Sequence, residues 1–473
     1  MKTNPFLWYV TPALISVQNK HCPLVISMVV DIWKFGRLLR GIAGFPLALF
    51  GAKMAEPKFS AICPPATVKG MTKLDRDAFR TLVKVPYFEV AAESSSAALD
   101  AVRKYLLKLP QFKPVQDGDS HKIFILNPAM VQQMEDLSQG ARDTLKHCGV
   151  TSLGVKELPL HYYNWTAETI LRAVLGQPDA AGYSIVGHIV HLNLRAHLEP
   201  YKQLIGQVYL DKVKNVICVM NKVNTIESEY RTFHMELLAG EAKTQVTVKE
   251  NGARFEFDFA EVYWNPRLST EHDRIVSRLE KDDVLYDVFA GVGPFAIPAA
   301  KRKCVVFAND LNPQSYKWLN HNVGLNKVTQ QVSTFNLDGR EFIRTVFASR
   351  APEQLEQGKR IHVVMNLPSI ATEFLDAFVG VLEREPAASS SAPPPVVHCY
   401  YFKKQDEEGK AVEALQLVQD AVGKEVTSAE SKFVRSVAPN KDMMRITFEL
   451  PLSVLVNCPP AKRCKLEEAT VAQ

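Results

Sequence analysis

Two neighbouring stretches of this chain carry residues whose types and spacing can do chemistry. Tyr263-Trp264-Asn265-Pro266-Arg267-Leu268-Ser269-Thr270-Glu271 lies just upstream of Asp287-Val288-Phe289-Ala290-Gly291-Val292-Gly293-Pro294-Phe295. The second reads as a strand that breaks into a glycine turn and then a helix, the arrangement that brings backbone close to a nucleotide-like ligand. The first sets Tyr263, Arg267 and Glu271 at the entrance to that turn. A small bound cofactor with an acid–base group beside it is the chemistry this pairing allows.

Carboxylates recur where the following strands should end. Asp310 can accept two hydrogen bonds from a ribose. Gly291, Gly293 and Ala296 also satisfy the spacing of a dinucleotide site, so a nicotinamide-dependent oxidoreductase is one reading. Three features favour S-adenosyl-L-methionine. Asp287 places a carboxylate where a methionine ammonium needs a partner. Pro294 removes an amide that would face a pyrophosphate at the helix start. Asp338, in Leu337-Asp338-Gly339-Arg340, ends a third strand, where it can accept from an adenine amino group. The fourth strand ends in Asn366-Leu367-Pro368, whose amide can hold a base by its polar edge.

These residues need a scaffold, and from residue 258 onward the chain supplies one. Apolar strand patterns at 284–289, 304–309, 332–336 and 361–366 alternate with helical patterns at 295–301, 314–325, 341–347 and 370–382. Such βαβα order predicts an α/β fold with a doubly wound, mostly parallel sheet over 258–451. Strand patterns at 396–402, 432–437 and 444–450 predict an antiparallel edge. Residues 156–257 read as a β-rich α+β middle domain, with strands at 186–192 and 216–220, a helix at 198–208 and a hairpin turning at Asn251-Gly252. Residues 56–150 read as a small, helical N-terminal domain, from apolar spacing at Leu99, Val102, Leu106 and Leu109 and at Met130, Met134 and Leu137. Ile123 to Leu126 is its one buried strand, and 115–119 a polar turn.

Composition sets the outer bounds. The 473 residues exceed one ordinary core. A formal net charge of +5 is too mild to argue for nucleic acid by itself. Eight cysteines without a Cys-x-x-Cys pair argue against a zinc ribbon or a disulfide framework, and no metal is expected. Before Glu56 the only acid is Asp31, and 32–40 winds as a basic amphipathic helix, so 1–53 reads as a mitochondrial leader. The tail 452–473 carries Pro-Pro-Ala-Lys-Arg-Cys-Lys-Leu, similar to a short nuclear import signal. Mitochondrial matrix, nucleus and cytoplasm are the expected locations, with no membrane insertion.

Tyr263 to Glu271, Asp287 to Phe295, Asn309-Asp310-Leu311-Asn312-Pro313 and Asn366-Leu367-Pro368 together resemble the tRNA (guanine-N1)-methyltransferases that act at position 37. The match is to the eukaryotic and archaeal branch. His188 to Leu194 and Leu238-Ala239-Gly240-Glu241 are similar to that branch's middle domain. The resemblance implies a Rossmann-like, class I S-adenosylmethionine-dependent methyltransferase domain, preceded by a tRNA-binding N-terminal domain. It implies a monomer whose partner is a tRNA with guanine at position 37. Glu271 matches the family's general base and Arg231 its O6-stabilising arginine, while Tyr263 and Asn366 match residues that position the guanine. The cofactor contacts it implies are His272, Asp287, Phe289, Gly291, Gly293, Asp310, Leu311, Asp338, Gly339 and Asn366. Thr270, with Asp273 three residues on, reads as a helix N-cap, which would make Glu271 a first-turn acid. A rival on the same fold transfers the aminocarboxypropyl arm of the cofactor in hypermodified-base synthesis. A rival of another class is a non-catalytic RNA-binding module.

Overall fold

A computed structural model describes residues 61–176, 182–223, 234–383, 393–404, 414–423, 426–438 and 441–456. The leader, the tail beyond residue 456 and Arg231 lie outside the described residues, while the start of the tail forms the short helix Leu452–Leu455 with Val454 and Leu455 buried. The first sheet is antiparallel, in the order β2-β3-β1-β4, from β1 (Thr81–Ala91), β2 (Val115–Asp117), β3 (His121–Ile125) and β4 (Gly154–Leu160). The helical reading of this region is therefore corrected. Its α-helices are Ser95–Val102 and Gln139–His147, and Leu106 instead bridges to Leu126.

The reason lies in β1. Its buried residues run Val83, Val85, then Pro86, Phe88 and Val90, so the two-residue alternation slips by one at the proline. Val83 and Val85 pack with Leu204, Ile205 and Val208 of the next region, while Phe88 and Val90 pack with Val102 and Leu145. One strand serves two cores, and a periodicity search loses it. The expected polar turn at 115–119 holds the edge strand β2. β4 extends this sheet beyond the expected boundary at 150.

The second sheet, β5-β6-β7-β8, comprises β5 (Tyr183–Val186), β6 (Ile189–Leu192), β7 (Cys218–Lys222) and β8 (Met235–Gly240). Gly187, at φ +58°, folds the single strand expected over 186–192 into a hairpin. The helix Lys202–Lys212 covers the sheet. The hairpin of β9 (Gln245–Glu250) and β10 (Ala253–Asp258) turns at Asn251 and Gly252, both at positive φ, as expected. Phe255 and Phe257 share a core with Leu285, Phe295 and Leu319 of the C-terminal body and with Val186, Ile189, Cys218 and Met220 of the second sheet, so this hairpin packs against both.

That body is a seven-stranded sheet in the order β13-β12-β11-β14-β15-β17-β16. Its strands are β11 (Val284–Asp287), β12 (Val305–Asn309), β13 (Val332–Phe335), β14 (Ile361–Met365), β15 (Val396–Lys404), β16 (Ala429–Ala438) and β17 (Lys441–Glu449). The first five in chain order run parallel, while β17 is antiparallel to both β15 and β16. Ala296–Lys301 and Pro313–Leu325 pack on one face; Gly339–Phe342, Ala348–Glu356 and Ala414–Val422 pack on the other. With both faces covered, β14 is buried at every position. The stretch expected as a helix over 370–382 is a 3-10 run, Ala371–Phe378. Strand order reverses at β11, so the crevice for a ligand opens beyond the carboxyl ends of β11, β12 and β14. No helix among the described residues is long and apolar enough to cross a membrane.

Candidate active site

The glycine turn leaves the end of β11 and is held by its neighbours. Asn309, fully buried at the end of β12, donates to the carbonyls of Val288 and Leu337 at 3.1 and 3.0 Å and accepts the Leu337 amide at 2.9 Å. It ties three strand ends together. Asp310 accepts the Gly291 amide on Oδ2 at 2.8 Å and the Asn312 amide on Oδ1 at 3.0 Å, Ser315 donates to it as well, and about one lone-pair site remains for a ribose hydroxyl. Burial pushes its carboxyl above the usual range in spite of those donors. Gly291 sits at φ +55°, and a Cβ there would meet open space. Gly293 sits at φ +99° and is packed against Ile297 and Leu319.

Asp287 differs from its neighbours. It is completely buried, and neither carboxylate oxygen has a hydrogen-bond partner among the described residues. Burial first, and the charge of Asp310 second, push its carboxyl well above the usual range. A buried carboxylate without donors is costly and needs a cation or donors from beyond the described residues. An ammonium meets that need. Asp338 caps the helix at Gly339 by accepting the Arg340 amide at 2.8 Å. Gly339 lies against the rings of Phe289 and Phe374, where a Cβ would come within 2.9–3.0 Å, so only glycine leaves this slot open. The two rings meet edge to face at 5.1 Å, and half-exposed Leu311 adds apolar surface beyond Asp310.

Glu271 stands on the other side of the turn. Asn265 caps the chain by accepting the Arg267 amide at 3.1 Å, Pro266 takes the first helical position, and a 3-10 turn over Pro266–Leu268 runs into the helix Ser269–Val276. Thr270 is thus inside the helix and does not cap it, which corrects the expectation. Glu271 is only 4% exposed. Its Oε1 accepts from the Tyr400 hydroxyl at 3.0 Å and from Arg445 Nη1; its Oε2 accepts from Arg274 Nη1 at 2.7 Å. His272, the next residue, pairs with Glu250 at 2.6 Å and meets Phe295 edge to face at 4.7 Å. Phe295, at the end of the glycine turn, also faces Tyr400 at 6.2 Å between ring centroids. One ring therefore joins the Glu271 helix to the cofactor turn.

Tyr263 is exposed and accepts from Asn265 at 3.3 Å. Arg267 reaches the Tyr183 carbonyl at 3.4 Å and has no carboxylate at ion-pair distance among the described residues. Asn366 is half-buried at the end of β14, the strand paired with β11. Tyr400, Arg445, Arg274, Asn309 and Phe374 have roles in the site that motif reading does not assign. Arg445 left one trace, a charged residue on a strand face shared with buried Met443.

An orphan carboxylate for an ammonium, an aromatic slot closed to everything but glycine, and two acids for a ribose and a purine fit the separate ends of S-adenosylmethionine. The C-terminal body is accordingly a Rossmann-like, class I methyltransferase domain. A family model described as the TRM5/TYW2 methyltransferase domain matches residues 246–423, starting in β9. A second, the TYW2 N-terminal domain, matches 168–244. The tRNA (guanine(37)-N(1))-methyltransferase of Danio rerio is 46% identical over 430 residues, covering 85% of this chain and 89% of the relative. That of Homo sapiens is 43% identical over 435 residues, covering 88% and 85%. Among solved structures, Trm5b from Pyrococcus abyssi has a TM-score of 0.54 at 25% identity, covering 77% of this chain and 99% of that one. The chain belongs to the tRNA (guanine(37)-N(1))-methyltransferase family.

Proposed function

We infer that this chain transfers a methyl group from S-adenosylmethionine to N1 of guanine 37 in tRNA. The observation that carries this reading is the buried Glu271 carboxylate, set against the cofactor turn through Phe295. Guanine N1 keeps its proton at neutral pH, and its lone pair becomes available only as a base removes that proton. Glu271 is that base. Arg231 steadies the negative charge that moves onto O6, and Tyr263 and Asn366 hold the ring. Asp287 partners the ammonium of the cofactor, Asp310 its ribose and Asp338 its adenine, with Phe289, Leu311 and Gly339 shaping the slot. When bound, the cofactor supplies a sulfonium methyl open to nucleophilic attack.

Relatives named for guanine-37 N1 methylation, at 43–46% identity, support this reading over aminocarboxypropyl transfer, for which the shared domain model is neutral. The test uses the full chain, methyl-labelled cofactor and tRNA transcripts with guanine or adenine at position 37. Label on the first alone, with mass spectrometry placing one methyl on N1, is the expected result. Label on both transcripts, or a product of aminocarboxypropyl mass, would overturn it. The protein acts as a monomer, and residues 56–150 contact the tRNA. Residues 1–53 direct it to mitochondria and the Lys462-Arg463 cluster to the nucleus. Fluorescent fusions lacking either segment test these addresses, and an unchanged distribution would sink them.

A further inference from the structure

We propose that Oε2 of Glu271 is the oxygen that takes the guanine proton, and that Tyr400 and Arg445 are positioning residues that hold the carboxylate by its other oxygen. The inference rests on Glu271 being the base. Each carboxylate oxygen offers about two lone-pair sites. On Oε1 both are used, one by the Tyr400 hydroxyl and one by Arg445 Nη1. On Oε2 Arg274 is the only donor among the described residues, which leaves a site open.

The donors also differ in how firmly they are held. Tyr400 and Arg445 are register partners across β15 and β17, and neither is exposed. Burial, and then the charge of Glu271, push the Tyr400 phenol well above its ordinary range, so it keeps its proton and donates. Arg445 is fixed in turn, because its Nε donates to Thr447 Oγ1 at 3.2 Å. That hydroxyl meets His398 Nδ1 at 3.1 Å, and His398 Nε2 meets His362 Nδ1 at 3.3 Å. The row runs under three strands from the base to His362. Arg274, by contrast, is one helical turn from Glu271 with a side chain 42% exposed, and it can swing away.

A buried ion pair is weak evidence for stability, since apolar residues of similar volume often serve as well. What this one supplies is a fixed orientation. The N1–H bond of guanine breaks and its proton forms an O–H bond on Oε2, leaving the lone pair on N1 for the methyl of a bound cofactor, whose carbon–sulfur bond would break with its electron pair kept by sulfur. The proton then leaves to solvent on the exposed Arg274 side. The groups facing the carboxylate are Tyr400 from β15, Arg445 from β17 and Arg274 from its own helix. Glu250 of β9 and His272 form a separate pair beside it, and His398 lies beyond Arg445.

The experiment is the single-turnover rate against pH, with the full chain, saturating cofactor and a guanine-37 tRNA. Tyr400→Phe keeps the ring and removes one donor from the anion, so the carboxylate holds its proton more tightly. The acid limb should move up by about one pH unit, which is roughly tenfold in rate along that limb. Arg274→Gln should move the limb in the same direction with a smaller loss of plateau rate. Arg445→Met removes the second clamp; because it can fail to fold, the first two variants decide the matter. A limb unmoved in both, with Glu271→Gln slow, would overturn the inference and leave the base standing. An unchanged rate and limb in Glu271→Gln would remove the base itself.

Discussion

Two buried carboxylates flank the cofactor turn, and they are treated in opposite ways. Glu271 receives three donors from its own chain, two of them fully buried or nearly so. Asp287 receives none among the described residues and is pushed well above the usual carboxyl range. The difference separates two uses of an acid. In the proposed mechanism, the partners that the fold supplies to Glu271 hold it in one orientation for proton transfer. Where the fold withholds them, as at Asp287, the proposed partner is the ammonium of the cofactor, and the cost of burying the acid without one is carried by the free protein.

The contrast breaks most sharply at Glu271. Glu271→Gln keeps the shape, loses the base and should slow turnover roughly 10²–10⁴-fold while cofactor affinity stays near wild type. Single-turnover rates beside calorimetric titration check both halves; a matching loss of cofactor affinity would erase the distinction between the two acids. Arg231→Ala should follow, at roughly 10²–10³-fold in turnover, because a cation at O6 acts on charge that builds during reaction. Measured tRNA affinity at two salt concentrations separates this from a phosphate contact. A large affinity loss with an intact saturating rate would reassign Arg231 to the tRNA backbone.

Asp287→Asn reverses the pattern. Losing a charge-assisted partner for the ammonium should weaken cofactor binding by about 10–100-fold, from roughly 1.5–3 kcal/mol for a hydrogen bond to a charged group. The same change removes a buried, unpartnered charge, so the free protein should melt at a higher temperature at neutral pH. Calorimetry and a thermal melt on one preparation give both readings. A lower melting temperature would mean that Asp287 has a partner within the chain after all.

Much of the C-terminal body was legible because parallel strands buried on both faces read as apolar runs closed by turn residues. Asp287, Asp310 and Asp338 could be placed at strand ends on that basis alone. Asn251-Gly252 likewise announced its hairpin. The N-terminal sheet escaped because Pro86 shifts the alternation of β1 in mid-strand. The environment of Glu271 escaped for a different reason. Its clamp comes from Tyr400 and Arg445, 129 and 174 residues away, and no local pattern links a helix to the faces of two later strands. From the helix alone it looked like a solvated first-turn acid; the start at Asn265-Pro266 and the fold over it make it buried.

The smallest effect tests the comparison at the level of a single proton. Asp287 has a folded-state pKa raised above its unfolded value of 3.8, by burial and by Asp310. Its contribution to stability is therefore fully present below the ordinary carboxylate range and is lost as pH rises through the folded value. An arriving ammonium favours the ionised form. Between the two values the free protein holds a proton that the complex does not, so binding should release up to about one proton and affinity should rise with pH through that window. Titrations in two buffers of different ionisation enthalpy count the protons released. Asp310 is also raised, so Asp310→Asn serves as the control. Release that persists in Asp310→Asn and vanishes in Asp287→Asn assigns the proton to the acid without partners. Release that survives in Asp287→Asn would place it elsewhere and dissolve the contrast with Glu271.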